Sequence, residues 1–301
     1  MNNDPAQLVI SENLLRRQAW QYYALLFAWP AYLFFLPLIW SQSVVWGLLL
    51  MVFPGVYLFT GLGFLMHECW HKYVPAIPHG FFYRAFSWML VTDPQIYRLL
   101  HGSHHAQVNS WADAEFHPFG QIKSRLARII LNNGEIIFGI VVLVFAQTLA
   151  MISREPFRKK YRIASLLLAM LMWVFYLTAL GFASHIVFSI SPKDIVFSYV
   201  LVLWFGSLIL HHSQLIEHGS LIVAGDWHER NVATRNLAAR GWAEKFFLFL
   251  THNDSREHVL HHTQVSIHSR PFPGRFALPQ NAVRITLRDY SRILLAMVIG
   301  R

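Results

Sequence analysis

The sequence predicts an all-α integral membrane protein, with about four transmembrane helices in two hairpins, re-entrant or interfacial helices, and a cytosolic histidine-rich cap. Three observations carry this. Hydrophobic residues make up 55% of the 301-residue chain and charged residues only 14%, well away from the balance of a soluble domain. Apolar runs long enough to cross a hydrocarbon core of about 30 Å recur along it. Where those runs give way to polar sequence, histidines gather in groups.

The chain reads as one domain, 1–301, and its first element is a hairpin over 19–66. Residues 19–40 and 44–66 each have spanning length, and the SQS link leaves room only for a tight return. Pro30, Pro37 and Pro54 are tolerated in such helices, and Trp20, Trp29, Trp40 and Trp46 fall near the expected interfaces. Nothing before residue 19 has the basic start and short apolar core of a signal peptide, so the first run is expected to stay. Arg16 and Arg17 put the N-terminus in the cytosol, and the second run then delivers His67 and His71 to that face.

Residues 67–133 follow as a cytosolic histidine region. Within it, 80–100 mixes aromatics with Arg84 and Arg98 and breaks at Asp93-Pro94, which predicts an interfacial helix pair. Residues 134–152 are apolar and of spanning length. A single crossing there would put the basic loop SREPFRKKYR outside, so the segment is expected to be re-entrant or embedded. Residues 163–188 and 195–210, joined by SISPKD, form a second hairpin over 163–210 that returns the chain to the cytosol. From 211 to 301 the chain is mostly polar. Its tail sets Arg284, Arg288 and Arg292 along one helical stripe, suited to an anionic lipid surface or to an acidic electron donor. All histidine groups then share one membrane face.

The formal charge of +9 sits in loops and tails, and no basic-aromatic module accompanies it, so it reads as topology rather than nucleic-acid binding. The single cysteine, Cys69, excludes a disulfide framework and thiolate-rich zinc, rubredoxin-type or iron–sulfur sites. It lies between two histidines but off their face, and is expected to pack.

The histidines carry the chemistry. His67 and His71 in HECWH are four apart and share a helix face. HGSHH (His101, His104, His105) and HVLHH (His258, His261, His262) repeat an i, i+3, i+4 spacing that converges three rings from about one helical turn. His218 ends the apolar stretch QLIEHG, with Gln214 one turn before it and His211 and His212 as rival rings. Neutral imidazole suits iron, zinc, copper and nickel, and nine rings exceed what one ion can use. Two ions are the economical reading, and redox iron with positions left open for dioxygen is one such pair.

At these residues the chain resembles the membrane fatty acid desaturase and hydroxylase superfamily, the integral-membrane diiron oxidases. HECWH is similar to that family's first histidine box, HGSHH to its second and HVLHH to its third. QLIEHG resembles the segment that supplies a further histidine, in wording close to the alkane hydroxylase branch. HAQVNSWADAEFHP and NDSREHVLHH are similar to the stretches around the second and third boxes. The resemblance implies two non-haem iron ions held by His67, His71, His101, His104, His105, His218, His258, His261 and His262. Gln214 stands where many desaturases have an Asn that reaches the metal through water. Metal-bound histidines usually donate their second nitrogen to a carboxylate or carbonyl, which makes Asp113, Glu115, Glu217, Asp226 and Glu257 candidate supports.

The same resemblance implies an O2-dependent oxidase acting on an unactivated C–H of a fatty acyl chain, foremost a fatty acid desaturase. A fatty acid or alkane hydroxylase and a terminal-alkene-forming decarboxylase are alternatives within the superfamily. The implied partners are the acyl or alkyl substrate, O2, membrane lipid and a separate ferredoxin-like or related electron donor. The implied location is a membrane, with the bacterial inner membrane favoured and the active site on its cytosolic face. Outside the superfamily, HECWH also satisfies the HExxH zinc-peptidase signature with Glu68 as base, but that leaves both HxxHH clusters unexplained. A haem or metal carrier is the non-enzymatic alternative.

Overall fold

The computed structural model describes residues 12–74, 77–155, 157–264, 274 and 276–301. The N-terminal stretch and the side chains of Arg16 and Arg17, on which the sense of insertion was read, lie outside the described residues.

Four helices are long and apolar enough to cross a membrane: Gln18–Gln42, Val44–His71, Ile163–Phe188 and Pro192–His218. The first belongs to α1 (Glu12–Gln42). The second is α2 (Val44–Leu50) and α3 (Val56–His71), joined through a kink at Met51–Gly55, where Phe53 leaves the helical conformation (φ −136°, ψ 108°) just before Pro54. Proline disfavours the helical conformation at the residue before it and removes a backbone donor, which is why the helix kinks here. Two shorter helices follow, α4 (His79–Met89) and α5 (Pro94–Gln107), with the break at Asp93-Pro94 that the sequence predicts. Asp93 starts α5, its side chain accepting from the Gln95 N–H at 2.8 Å.

The apolar stretch 134–152 does not form one helix. Gly139 divides it between α6 (Arg125–Phe138) and the 14-residue α7 (Ile140–Ser153), which is too short to span. On α7, Val141, Phe145, Leu149 and Ile152 are exposed while Leu143, Ala146, Gln147 and Ala150 are buried. One apolar face therefore turns outward and the other packs inward. Beside α7, α10 supplies donors to the end of α6. The Trp204 Nε1–H bonds the Ile137 carbonyl at 2.8 Å, and the Ser207 hydroxyl bonds that of Phe138 at 3.3 Å. Carbonyls left open at a buried helix end need such partners.

After the one-turn α8 (Phe157–Lys160) the chain forms α9 (Ile163–Phe188) and α10 (Pro192–His218). α10 runs two turns past the expected border at residue 210, so His218 is carried on the span itself. The large side chains Leu167, Leu171 and Phe175 of α9 are each more than 60% exposed, which suits contact with lipid. The main core joins α1, α3, α4 and α10 around Trp29, Leu33, Phe59, Leu62 and Val202. α3 and α10 meet closely at Gly206, where a Cβ would lie 2.4 Å from Phe59 Cγ; small residues let membrane helices approach in this way.

The remainder is α11 (Trp227–Val232), α12 (Trp242–Leu250), α13 (His258–Thr263) and α14 (Leu287–Val298). Two short parallel strands, β1 (Asn236–Leu237) and β2 (Arg284–Ile285), tie the tail back. A second core of Leu215, Ile216, Leu237, Leu248, Ile285 and Tyr290 lies under this part. Arg284, Arg288 and Arg292 are exposed, while Met297 is buried against α6 and α10 neighbours.

Gly139 adopts φ 61°, and a Cβ there would lie 2.6 Å from both Leu208 Cα and the Ser207 carbonyl oxygen. Gly139→Ala is expected to destabilise by at least about 1–3 kcal/mol, the usual cost of such backbone strain before any clash is added. Gly80, with no atom within 4 Å of its would-be Cβ, is the matched control. Thermal unfolding in detergent should give a lower midpoint for Gly139→Ala and an unchanged one for Gly80→Ala.

Candidate metal centre

Each histidine arrives near a helix end. His67 and His71 close α3, His101, His104 and His105 fill the second half of α5, His218 ends α10, and His258, His261 and His262 belong to α13. The helix starts are fastened from elsewhere. Asp93, besides capping α5, accepts from the Tyr161 hydroxyl at 2.8 Å and the Ser165 hydroxyl at 2.6 Å. Asn236 Oδ1 accepts from the Val259 N–H at 3.0 Å and so fixes the first turn of α13.

All nine Nε2 atoms face inward, in two groups. In the first, Nε2 of His67 is 3.0 Å from that of His261, His261 is 3.0 Å from His105, His105 is 3.1 Å from His101, and His101 is 3.1 Å from His71. In the second, His104 is 3.3 Å from His262, His262 is 3.2 Å from His258, and His258 is 3.3 Å from His218. A neutral imidazole has one N–H, and the Nδ1 atoms compete for it. Rings that crowd their inner nitrogens therefore oppose lone pairs in a dry interior, unless a cation sits between them. Donors about 2.0–2.1 Å from one ion lie roughly 3.0–3.4 Å apart when adjacent, so the observed spacings fit two metal ions.

The outer nitrogens are held as metal-binding imidazoles usually are. His101 Nδ1–H donates to Glu115 at 3.0 Å and His104 Nδ1–H to Asp113 at 2.8 Å. Asp113 is itself fixed by the Glu115 N–H at 3.0 Å. His218 Nδ1–H donates to Asn109 Oδ1 at 3.0 Å, and His261 Nδ1 lies 3.0 Å from the Tyr73 hydroxyl. His258 Nδ1 is 3.5 Å from Asp254 Oδ2. Nδ1 of His105 and of His262 are buried without a hydrogen-bond partner among the described residues.

Burial, and then the charge of neighbouring rings, holds His101, His261 and His262 well below the ordinary imidazole value, and burial with His104 and His71 brings His105 down to about 2. These rings are neutral, the state that binds a metal. Burial also pushes His104 and His258 down, but nearby carboxylates prevail. Asp113 and Glu115 raise His104, and Glu217 and Asp254 lift His258 to about 9. Burial pushes the Glu115 carboxyl up to about 7. A cation at the inner nitrogens would displace any proton from His104 and His258.

Of the other residues singled out in the sequence, Glu217 belongs here. Its Oε2 is 3.4 Å from His258 Nε2. Gln214 lines the adjoining cavity, and its Oε1 is 3.2 Å from His211 Nδ1. The rival rings turn elsewhere: His211 Nε2 lies 3.7 Å from Glu135, and His212 bonds the Ile136 carbonyl at 3.1 Å and the Tyr290 hydroxyl at 2.6 Å. Asp226 is exposed and caps α11 in a capping box with Glu229, and Glu257 accepts from the Gly274 N–H at 2.5 Å. Neither is placed against the nine rings. Cys69 is a buried free thiol within the main core. Glu68 accepts from the Tyr22 hydroxyl at 2.7 Å in the interior, and His67 and His71 join three further rings, an arrangement a zinc peptidase has no use for.

Asn109, Tyr73 and Asp254 are not among the site residues that the sequence singles out. Asn109 and Asp254 lie in the stretches around the second and third boxes, so the signal was present. Tyr73 meets His261 from 188 residues away, and nothing local marks it.

A cavity extends from both groups into the helices. Phe59, Gly63, Phe64, Leu143, Val144 and Leu210 line it together with His67, His101, His104 and His218. Its walls are mostly apolar, with Glu115, Glu217 and Asp254 among the lining beside the rings.

A model of the fatty acid desaturase family matches residues 44–273. Neither the curated proteins nor the solved structures compared with the chain give a match. The matched segment runs from the second span past the third histidine box and contains all nine rings.

Asp113→Asn leaves one acceptor oxygen for two donors, the His104 Nδ1–H and the Glu115 N–H, and removes the charge, so it is expected to weaken metal binding about 10–100-fold. His261→Ala, which removes a ring from the first group, should lower the content of bound metal sharply. Metal analysis of the detergent-purified protein measures both; full retention of metal in His261→Ala would exclude the first group as a metal site.

Proposed function

The chain belongs to the fatty acid desaturase family, and from that premise we propose that it is an O2-dependent diiron oxidase that desaturates a fatty acyl chain. The observation that carries the proposal is the pairing of nine inward-facing imidazoles with an apolar cavity that reaches them. Iron held by these rings would supply the reduction of O2 and the oxidising power to remove hydrogen from an unactivated C–H. The balanced reaction takes a CH2–CH2 pair, O2, two electrons and two protons to CH=CH and two waters.

The chain's own residues do the rest. Phe59, Phe64, Leu143, Val144 and Leu210 bind the acyl chain by apolar contact and exclude water, which keeps the oxidant from reacting with solvent. Gly63 leaves room beside Leu210, whose Cδ2 would lie 2.9 Å from a Cβ. Asp113, Glu115, Asn109 and Tyr73 hold the rings in orientation, so that the acyl carbon meets them in a fixed geometry.

Electrons come from a separate carrier. Two features support entry beside the first group. The Trp227 Nε1–H bonds the His105 carbonyl at 3.0 Å while its ring is 42% exposed, and Arg230 lies alongside with a bond to the Ala106 carbonyl. Exposed Arg284, Arg288 and Arg292 suit an acidic, ferredoxin-like donor or an anionic lipid surface. Arg16, Arg17 and the basic loop at 154–162 support a cytosolic active site by the positive-inside rule, and the bacterial inner membrane is the proposed location. The IEHG wording at 216–219 keeps hydroxylation as the second reading, in which one oxygen atom enters the product.

Cells expressing the protein, fed a deuterium-labelled fatty acid, are expected to accumulate a product two hydrogens lighter, with none from His104→Ala. An alcohol carrying one atom from 18O2 would assign the hydroxylase reading, a terminal alkene one carbon shorter would assign decarboxylation, and no lipid product would sink the proposal.

A further inference from the structure

The two histidine groups are unequal, five rings against four, and the shortfall lies where a carboxylate is. Glu217 precedes His218 on the last turn of α10 and is 1% exposed. Its Oε1 accepts from the Ser255 hydroxyl at 2.7 Å, and Ser255 is fully buried. That bond fixes the carboxylate plane and leaves Oε2 directed at His258 Nε2, 3.4 Å away. His258 Nε2 is also 3.3 Å from His218 Nε2 and 3.2 Å from His262 Nε2. The oxygen is therefore spaced from an inner nitrogen as the inner nitrogens are from one another.

A plain ion pair between Glu217 and a protonated His258 fits less well. Charge-assisted N–H···O bonds run about 2.7–2.9 Å, and here the contact is longer at 3.4 Å. A proton on His258 Nε2 would also face the nitrogens of His218 and His262, three acceptors for one N–H. Two donors flanking a common centre account for both features. Gln214 does not fill the gap, because its Oε1 lies 3.2 Å from His211 Nδ1.

We infer that Glu217 is a metal ligand through Oε2, so that one ion is held by five imidazoles and the other by His104, His218, His258, His262 and one carboxylate, with Ser255 as its positioning residue. The inference rests on the diiron reading above. A carboxylate is a harder, anionic donor than imidazole and favours the more oxidised ion. The two irons are then inequivalent, and the one beside Glu217 is electrostatically the easier to oxidise.

The test is iron stoichiometry and Mössbauer spectroscopy on the full-length protein, purified in detergent and loaded with iron(II)-57. Wild type is expected to bind two irons with two distinct ferrous doublets. Glu217→Gln should retain close to one at limiting iron; in excess iron one doublet should shift while the other keeps its parameters, which a merely structural role would not produce. Ser255→Ala, which keeps the carboxylate but frees it, should release the second iron to a chelator about tenfold faster. Two irons and two unshifted doublets in Glu217→Gln would overturn this inference alone. Wild type with fewer than two irons would overturn the diiron reading and this inference with it. Should Glu217→Gln not purify as a single species, unchanged iron release from Ser255→Ala would overturn the inference.

Discussion

Nine imidazole nitrogens gathered in two groups, each 3.0–3.3 Å from a neighbour in its own group, are the constraint on which the rest of the structure depends. Without a cation the arrangement sets lone pair against lone pair, in the second group with every ring buried. Such a cluster persists only if the backbone around it is held more firmly than the repulsion pushes. The described hydrogen bonds do this from long range: Asn109 reaches His218 across 109 residues, and Tyr73 reaches His261 across 188. Metal binding would turn the conflict into attraction, and its free energy would then add to the stability of the fold.

Asn109 shows how few residues carry this burden. Its side-chain carbonyl accepts from His218, its amide donates to the Arg230 carbonyl at 2.7 Å and the Thr234 hydroxyl at 3.1 Å, and its backbone carbonyl accepts from the Val223 N–H at 2.9 Å. It does so from φ 55°, a backbone conformation that asparagine tolerates better than most residues. One side chain thereby ties the end of α5, the end of α10 and the segment around α11. Thr60 plays a similar part inside the membrane. Its hydroxyl lies 2.6 Å from the Leu250 carbonyl and so links α3 to the end of α12.

The spans and the histidine spacing were legible because each is a local property. Apolar length marks α1, α3, α9 and α10, and an i, i+3, i+4 pattern on one turn survives whatever the helix packs against. The family resemblance at the histidine boxes added a ligand set that spacing alone left open. The break at Gly139 was not legible, since its backbone conformation answers to Ser207 and Leu208 of α10 rather than to its neighbours in sequence. The same reason separates the acids. Asp113 and Glu115 lie within a loop's reach of the second box and meet its rings, whereas Asp226 and Glu257 are spent on a helix cap and a backbone N–H. Proximity in sequence made all of them candidates; only the loop geometry after α5 and the end of α10 chose among them.

The two groups also differ in their surroundings. His67, His71 and His105 of the first are half-buried, Trp70 packs against His71, His101 and His105, and Trp227 is one hydrogen bond from His105 at the surface. All four rings of the second are buried, with Glu217, Asp254 and Asp113 about them. Rings packed against aromatic surface, with Glu115 bonded to His101, would need less reorganisation of charged side chains if that site changed charge. Acids gathered around a buried site do the opposite and anchor positive charge there. A pair built in this way keeps its charged centre away from water while leaving its partner near the surface, and the apolar cavity meets rings of both.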